Sequence, residues 1–162
     1  MGLVLPTSSR IYIDTVVVIY SVEWNPNYYS VLEPLWLKFQ AGELEIISSE
    51  LAESSRVPVS GRETFQDILM ETLVVPLING DRFLVNAYEQ LLLSSPVQLI
   101  PISQSILRQA ANIRATTSLK TPDAIHAATA LSVSCNQFIT NDKGFRNIPG
   151  LPVVILSEIL AS

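Results

Sequence analysis

The chain has 162 residues, of which 48% are hydrophobic and 15% are charged. This composition excludes an intrinsically disordered chain, and a chain of this length buries enough apolar surface to fold without disulfides or a structural metal. The formal net charge of −5 argues against a nucleic-acid-binding protein, which is usually basic, unless divalent cations neutralise part of the acidic charge locally.

Cysteine content and hydropathy predict a cytoplasmic protein. Cys135 is the single cysteine, so no internal disulfide can form and a reducing compartment is expected. The N-terminal segment lacks the basic start and the long apolar core of a secretory signal. No apolar stretch reaches the roughly 18 to 20 residues that a membrane helix needs. Pro6 stands where the N-myristoylation pattern requires Ser or Thr, so no lipid anchor is predicted.

The first part of the chain predicts two strands with a helix between them. Residues 10–13 form a short β-rich run, and residues 44–48 form a second one. Between them, large apolar residues recur with helical spacing over residues 28–39, where Pro34 predicts a kink or a break. The apolar run at residues 16–22 is rich in β-branched side chains, which by themselves favour a strand.

The middle of the chain contains a polar segment followed by a return of helical pattern. Residues 52–67 are polar and contain breakers, and helical character resumes over residues 68–76. Asn79-Gly80 predicts a turn, after which Asp81 is a candidate cap for another helix. The apolar residues of that helix are predicted to share one face; they are Phe83, Leu84, Ala87, Tyr88, Leu91 and Leu92.

Two further helices are predicted in the second half. Residues 97–100 predict a third strand, and either Ser103 or Ser105 begins the helix that follows. Thr121 suits the N-cap of the next helix, with Pro122 at its first position.

Two more strands complete the pattern, at residues 137–139 and 153–156. Strands that alternate with helices predict an α/β sandwich around a mainly parallel sheet. We expect one domain over residues 1–162, with its core at about 10–157. The polar residues 52–67 are interpreted as an insertion in a surface loop, where added length has a small entropic cost.

Four acidic residues are the candidate functional groups. Asp14 and Asp142 each follow a predicted strand, where sites collect in parallel sheets, while Asp123 and Glu71 lie on helices. Carboxylates that converge from separate elements suit Mg²⁺ or Mn²⁺, and two such ions can cleave a phosphodiester. Taken singly, each acid has an ordinary interpretation as a turn, cap or surface residue.

The same acids lie in four segments that together form a known pattern. The segments are IYIDTVVVIY at residues 11–20, METLVVPLINGD at 70–81, TPDAIHAATAL at 121–131 and FITNDKGF at 138–145. They resemble the PIN-domain family, in particular VapC-like toxins. The resemblance implies an α/β/α sandwich and makes the run at residues 16–22 a helix.

The resemblance also implies a function. It implies a divalent-metal-dependent ribonuclease in which Asp14, Glu71, Asp123 and Asp142 hold the metal and carry catalysis. Thr140 and Asn141 are expected to flank and position the last acid. A homodimer and a small antitoxin that holds the toxin inactive are expected as protein partners.

The chain departs from the family pattern at two places. Val16 stands where the family usually has Asn or Ser, and the loss of a polar group that supports metal ligands typically lowers affinity or activity about ten- to a hundredfold. The insertion at residues 52–67 leaves Glu50 and Glu53 as competitors for the second acid. Glu71 is preferred because its spacing to the following Pro and Asn-Gly-Asp fits the family.

Other polar and aromatic residues have less specific interpretations. His126 is predicted to be packed or to support the site rather than to bind metal. Trp24, Trp36 and the N-terminal tyrosines are predicted to belong to the core or an interface. Candidate phosphate contacts are Arg108, Arg114, Lys120, Lys143 and Arg146.

Two rival functions follow from the same residues. The first is a PIN-like binding module for RNA or protein that Val16 and the insertion have weakened or inactivated. The second is a phosphate-transfer domain in which Asp14 is the nucleophile and forms an aspartyl-phosphate.

Overall fold

A sheet of five parallel strands lies at the centre of the computed structural model. The structure describes residues 2–50 and 68–161, except for the side chains of residues 50 and 68–71. The strands are β1 (Ser9–Ile13), β2 (Leu44–Glu50), β3 (Gln98–Pro101), β4 (Gln137–Thr140) and β5 (Val153–Ile155). Each neighbouring pair is parallel in the order β3-β2-β1-β4-β5. The predicted parallel α/β architecture is confirmed. The predicted insertion at residues 52–67 lies outside the described residues.

Helices connect the strands in the described ranges. They are α1 (Thr15–Val22), α2 (Tyr29–Gln40), α3 (Ile68–Ile78), α4 (Arg82–Glu89), α5 (Gln104–Thr116), α6 (Thr121–Ser132) and α7 (Leu156–Ala161). A π-helical turn at Gln90–Ser94 continues α4, and a 3₁₀ helix at Lys143–Asn147 follows β4. Within these ranges, no helix has both the length and the apolar character of a membrane-spanning segment.

Apolar side chains pack on both faces of the sheet. Ile11 and Ile13 of β1 point to the face that α1, α2 and α4 cover, whereas Tyr12 points to the face that α5 and α6 cover. All three side chains are fully buried. Alternation along a strand sends successive side chains to opposite faces, so a strand that is apolar on both faces needs a helical layer on each. The predicted three-layer α/β/α sandwich is therefore confirmed.

The strand order reverses beside β1, which pairs with β2 on one side and with β4 on the other. In open parallel sheets, a crevice forms outside the carboxyl ends of the strands where the order reverses. The residues that follow β1 and β4 therefore flank the natural binding crevice of this fold.

Side-chain caps begin several helices as the sequence predicts. Asp81 accepts a hydrogen bond from the Leu84 N–H at 3.0 Å, and Ser103 accepts one from the Ile106 N–H at 3.3 Å. The prediction for α6 is wrong by one residue, because Lys120 is its N-cap. Thr121 is instead the first helical residue, and its hydroxyl accepts a hydrogen bond from Arg114 at 2.7 Å.

Two local expectations are settled by packing. Of the kink or break expected at Pro34, the break does not occur, because Leu32 and Leu35 on either side of the proline are fully buried in the core and α2 is continuous. The loss of one backbone hydrogen bond is offset by that burial. The other prediction, that Phe83 shares the buried face of α4, is wrong: Phe83 is 81% exposed, since it lies about 100° around the helix from Leu84, which packs on the core with Tyr88.

Candidate active site

Asp14 lies at the centre of the crevice, where β1 ends and α1 begins. Its Oδ1 accepts a hydrogen bond from the Val17 N–H at 3.2 Å, and its Oδ2 accepts one from the Thr140 hydroxyl. Burial raises the pKa of Asp14 to about 7, and the charges of Asp123 and Asp142 add to this effect against the two hydrogen bonds. The carboxylate is therefore held in one orientation in a place where its negative charge is poorly solvated.

Thr140 joins the ends of the two central strands. Its hydroxyl donates to Asp14 and accepts a hydrogen bond from the Asp142 N–H at 3.0 Å. The Asp142 carboxylate accepts a hydrogen bond from the Gly144 N–H at 2.7 Å and caps the 3₁₀ helix. Asp142 is thus a capping residue, one of its two sequence interpretations, and it also faces the crevice.

Asp123 is contributed by a third element, the first turn of α6. Its pKa is raised by partial burial and by the charge of Asp142, while Lys120 acts in the opposite direction. The pKa of Asp14 is raised in turn by Asp123 and Asp142. The negative charge of Asp142 therefore acts on both Asp14 and Asp123, which places three carboxylates from three separate elements near one another.

These three aspartates line one cavity of about 630 Å³. The other residues around it are Thr15, Val16, Ile19, Tyr20, Pro122, His126, Asn141, Lys143 and Phe145. The three aspartates outnumber the one cationic side chain among these lining residues, Lys143, and a concave site with an excess of negative charge concentrates cations. The cavity is therefore an attractive place for a cation.

The donor set of the cavity suits a hard divalent cation, because carboxylate oxygens are the ligands that Mg²⁺ and Mn²⁺ prefer. Among the described residues, however, no group of three His, Cys, Asp or Glu side chains is arranged to hold an ion by itself. The predicted second acid, Glu71, lies on α3, and its side chain is outside the described part. The described carboxylates fit the cation in their chemistry and would need water or a further ligand to complete its coordination.

His126 is buried at the edge of the cavity, and its contacts fit the packed or supporting role that the sequence analysis expected. Its Nδ1 is 2.8 Å from the Tyr12 hydroxyl and 3.2 Å from that of Ser49, and its Nε2 is 3.2 Å from that of Thr15. Burial lowers the pKa of His126 to about 4, so the ring is neutral at pH 7. Both ring nitrogens are engaged by hydroxyl groups, which leaves the ring a packing and supporting role.

Comparison with known proteins identifies the family. The family model for the PIN domain matches residues 11–151. The chain belongs to the PIN domain family. The resemblance carried by the four sequence segments is therefore confirmed. No curated protein has a significant sequence match to this PIN domain.

Solved structures share the PIN fold of this chain at low sequence identity. VapBC2 from Rickettsia felis, determined bound to a DNA fragment from their promoter, matches with a TM-score of 0.63 and 16% identity, over 90% of this chain and 98% of that chain. A toxin–antitoxin complex from Klebsiella pneumoniae matches with a TM-score of 0.51 and 23% identity, over 89% of this chain and 95% of that chain. These likenesses establish the fold.

One wall of the PIN-domain cavity was not anticipated from the sequence. Tyr20 packs against the core as predicted, and it also lines the cavity together with Val16 and Ile19. Asn141, which directly precedes Asp142 and lines the same cavity, donates hydrogen bonds to Tyr20 and Tyr28. The sequence contained one signal for this wall, the spacing of Val16, Ile19 and Tyr20, because residues three and four positions apart lie on the same face of a helix.

Of the basic residues predicted to contact phosphate, some lie at the cavity and others are paired elsewhere. Lys143 lines the cavity, and the charge of Lys120 acts on Asp123. Arg146 pairs with Glu158, and Arg114 donates to Thr121. Lys143 is therefore the basic side chain best placed to meet an anionic ligand in the cavity.

Proposed function

We propose that this PIN-domain protein is a divalent-metal-dependent endoribonuclease of the VapC type, the toxin component of a toxin–antitoxin pair. The observation that supports the proposal is the meeting of Asp14, Asp123 and Asp142 in one cavity at the reversal of strand order in a PIN fold. The proposed location is the cytoplasm, in keeping with Cys135 as a buried free thiol.

The proposed metal ligands are Asp14, Asp123, Asp142 and Glu71, with Mg²⁺ or Mn²⁺ as the cation. Mg²⁺ commonly keeps several waters and binds through one or two carboxylates, so a site without three ready protein ligands is compatible with it. When bound, such an ion lowers the pKa of a water and stabilises negative charge on a phosphodiester.

The chain's own residues have separate proposed roles around that ion. Thr140 holds Asp14 and the backbone of Asp142 in register, so that the two carboxylates approach from fixed directions. Lys143 offers a positive charge to a phosphate oxygen. His126 is neutral and engaged at both ring nitrogens, so it is not the proton-transfer group.

Metal titration by calorimetry, run beside an RNA cleavage assay, tests the proposed nuclease. We expect the purified chain to bind Mn²⁺ or Mg²⁺ and to cleave RNA internally only when the ion is present. Cleavage that continues unchanged in EDTA would contradict metal dependence. Metal binding without any cleavage across a broad set of RNAs would contradict the nuclease.

A weakened or inactive PIN-like binding module is the second candidate. Two observations favour it, namely the apolar Val16 in the cavity and the absence of a three-residue metal group among the described side chains. This candidate predicts RNA or protein binding with neither metal uptake nor turnover, so the same pair of measurements separates it from the nuclease.

The surroundings of Asp14 disfavour the third candidate function, in which Asp14 forms an aspartyl-phosphate. Both oxygens of the Asp14 carboxylate accept hydrogen bonds, and the side chain is only 6% exposed. A nucleophile needs an accessible oxygen. Intact-mass measurement after incubation with a phosphate donor should therefore show no added phosphate.

A homodimer and a small antitoxin are the proposed protein partners, and one solved structure with this fold is a toxin–antitoxin complex. Apolar side chains at least 60% exposed on α3 and α4 support a proposed protein contact there; they are Val75, Leu77, Ile78 and Phe83. Light scattering of the purified chain should give the mass of two copies, and Ile78→Asp should reduce it if this surface forms the contact. A monomer at micromolar concentration would rule out the homodimer.

A further inference from the structure

We propose that the α1 wall of the cavity, formed by Val16, Ile19 and Tyr20, is a nucleobase subsite beside the carboxylates. The inference rests on the proposed RNA-cleaving function and deepens it, because it names the part of the substrate that this wall contacts. In this proposal Val16, which stands where the family usually has a polar residue, contributes to substrate binding.

The α1 wall gives one side of the cavity a continuous apolar surface. Val16, Ile19 and Tyr20 stand at positions i, i+3 and i+4 of one helix, so their side chains form a continuous strip. All three are half-buried against the core and hold a fixed surface toward the cavity. A flat apolar ring packs on such a strip, whereas the phosphate belongs near the cation and Lys143.

The hydrogen bonds of Asn141 determine how the Tyr20 hydroxyl is used. The Asn141 Oδ1 accepts a hydrogen bond from the Ser157 N–H at 2.9 Å, which directs the amide nitrogen to the tyrosines. That nitrogen donates to the hydroxyl oxygens of Tyr20 at 3.2 Å and of Tyr28 at 3.0 Å. Both phenol oxygens are therefore acceptors in these bonds, and their O–H hydrogens are directed elsewhere.

The Tyr20 hydrogen has no acceptor among the described side chains and backbone, and Tyr20 lines the cavity. It is thus a donor available to a ligand. The ring is held in place by a parallel stack on Tyr28, with centroids 4.6 Å apart and planes 7° apart. A donor fixed in advance loses little freedom when a ligand binds.

A nucleobase satisfies the apolar strip and the donor together. Its ring faces are apolar, and its edge carries carbonyl oxygens or ring nitrogens that accept a hydrogen bond. Since the four bases place these acceptors differently, a single fixed donor favours some bases over others. The subsite therefore predicts a base preference next to the cleaved bond.

Tyr20→Phe tests the subsite, with Tyr28→Phe as the matched control. Each variant removes one hydroxyl and one bond from Asn141, and Tyr28 is not among the cavity-lining residues. The substrates are four RNA oligonucleotides that differ only in the base beside the cleaved bond. We expect Tyr20→Phe to raise KM for the preferred RNA about five- to tenfold and to reduce the preference among the four, while Tyr28→Phe keeps both near the wild-type values.

A second measurement does not depend on cleavage. Titration with adenosine, guanosine, cytidine and uridine in EDTA, followed by NMR, should show a preferred nucleoside whose binding Tyr20→Phe weakens. If the wild type cleaves RNA but the two variants behave alike in both assays, the subsite is wrong and the nuclease stands. If nucleosides bind with the expected dependence on Tyr20 but no RNA is cleaved, the nuclease is wrong and the subsite stands. No nucleoside binding and no base preference overturns the subsite.

Discussion

Asp14→Asn is expected to lower metal-dependent RNA cleavage by roughly a hundredfold or more, since loss of a group that merely supports a ligand already costs about ten- to a hundredfold. Asn has nearly the same shape as Asp, so the side chain still fits between Val17 and Thr140. It lacks the negative charge that a divalent cation needs from this position. Initial rates on a cleaved RNA, measured at saturating Mn²⁺, give the comparison.

Asp81→Asn is the matched control for that loss. Asp81 caps α4 through the Leu84 N–H, just as Asp14 caps α1 through the Val17 N–H, but it does not line the cavity. Cleavage by Asp81→Asn should equal that of the wild type. Growth arrest of a bacterial host by the wild type, but not by Asp14→Asn, would support the toxin role. If Asp14→Asn cleaves RNA at the wild-type rate, Asp14 is not part of the active site.

The same substitution should stabilise the metal-free protein at high pH. The pKa of Asp14 rises from 3.8 to about 7 on folding, so between these values the folded state binds the extra proton. Its contribution to stability is therefore present at low pH and is lost as pH rises through 7. The buried charge then costs up to about 4 kcal/mol at pH 8, at about 1.4 kcal/mol for each pKa unit. Asp14→Asn removes this cost.

His126 has the opposite dependence on pH. Its pKa falls from 6.5 to about 4 on folding, so the unfolded state binds the extra proton between these values. Stability from the neutral, buried ring is present above pH 6.5 and is lost as pH falls toward 4, by up to about 3 kcal/mol. In the wild type this loss is offset by the gain from Asp14 over the same range.

Urea unfolding in EDTA from pH 4 to pH 8 separates the two residues. The free energy of unfolding of Asp14→Asn should fall by about 3 kcal/mol between pH 6.5 and pH 4, whereas that of the wild type should change less. The difference between the two proteins should widen as pH rises to 8. If the plots of unfolding free energy against pH run parallel for the two proteins, burial does not change the ionisation of Asp14 in the folded state. Added Mn²⁺ should then stabilise the wild type more than the variant.

Local chemistry in the sequence was enough to predict much of the secondary structure. The β-rich runs are strands, Asn79-Gly80 is a turn, and Asp81 caps a helix, because these features depend on neighbouring residues. Residues 16–22 show where local signals fail, since their β-branched side chains favour a strand while the structure has a helix there. The family resemblance predicted that helix correctly. Burial of Val17 and Val18 against the core outweighs the small intrinsic preference.

The sequence by itself also determined which acids to consider, since Asp14, Asp123 and Asp142 stand at the ends of predicted elements. Only the tertiary structure decided that they share a cavity, that Thr140 bonds to Asp14, and that Tyr20 faces the same space. The physical reason is distance along the chain. The order of strands in the sheet brings together residues far apart in sequence, and no short-range pattern contains that order.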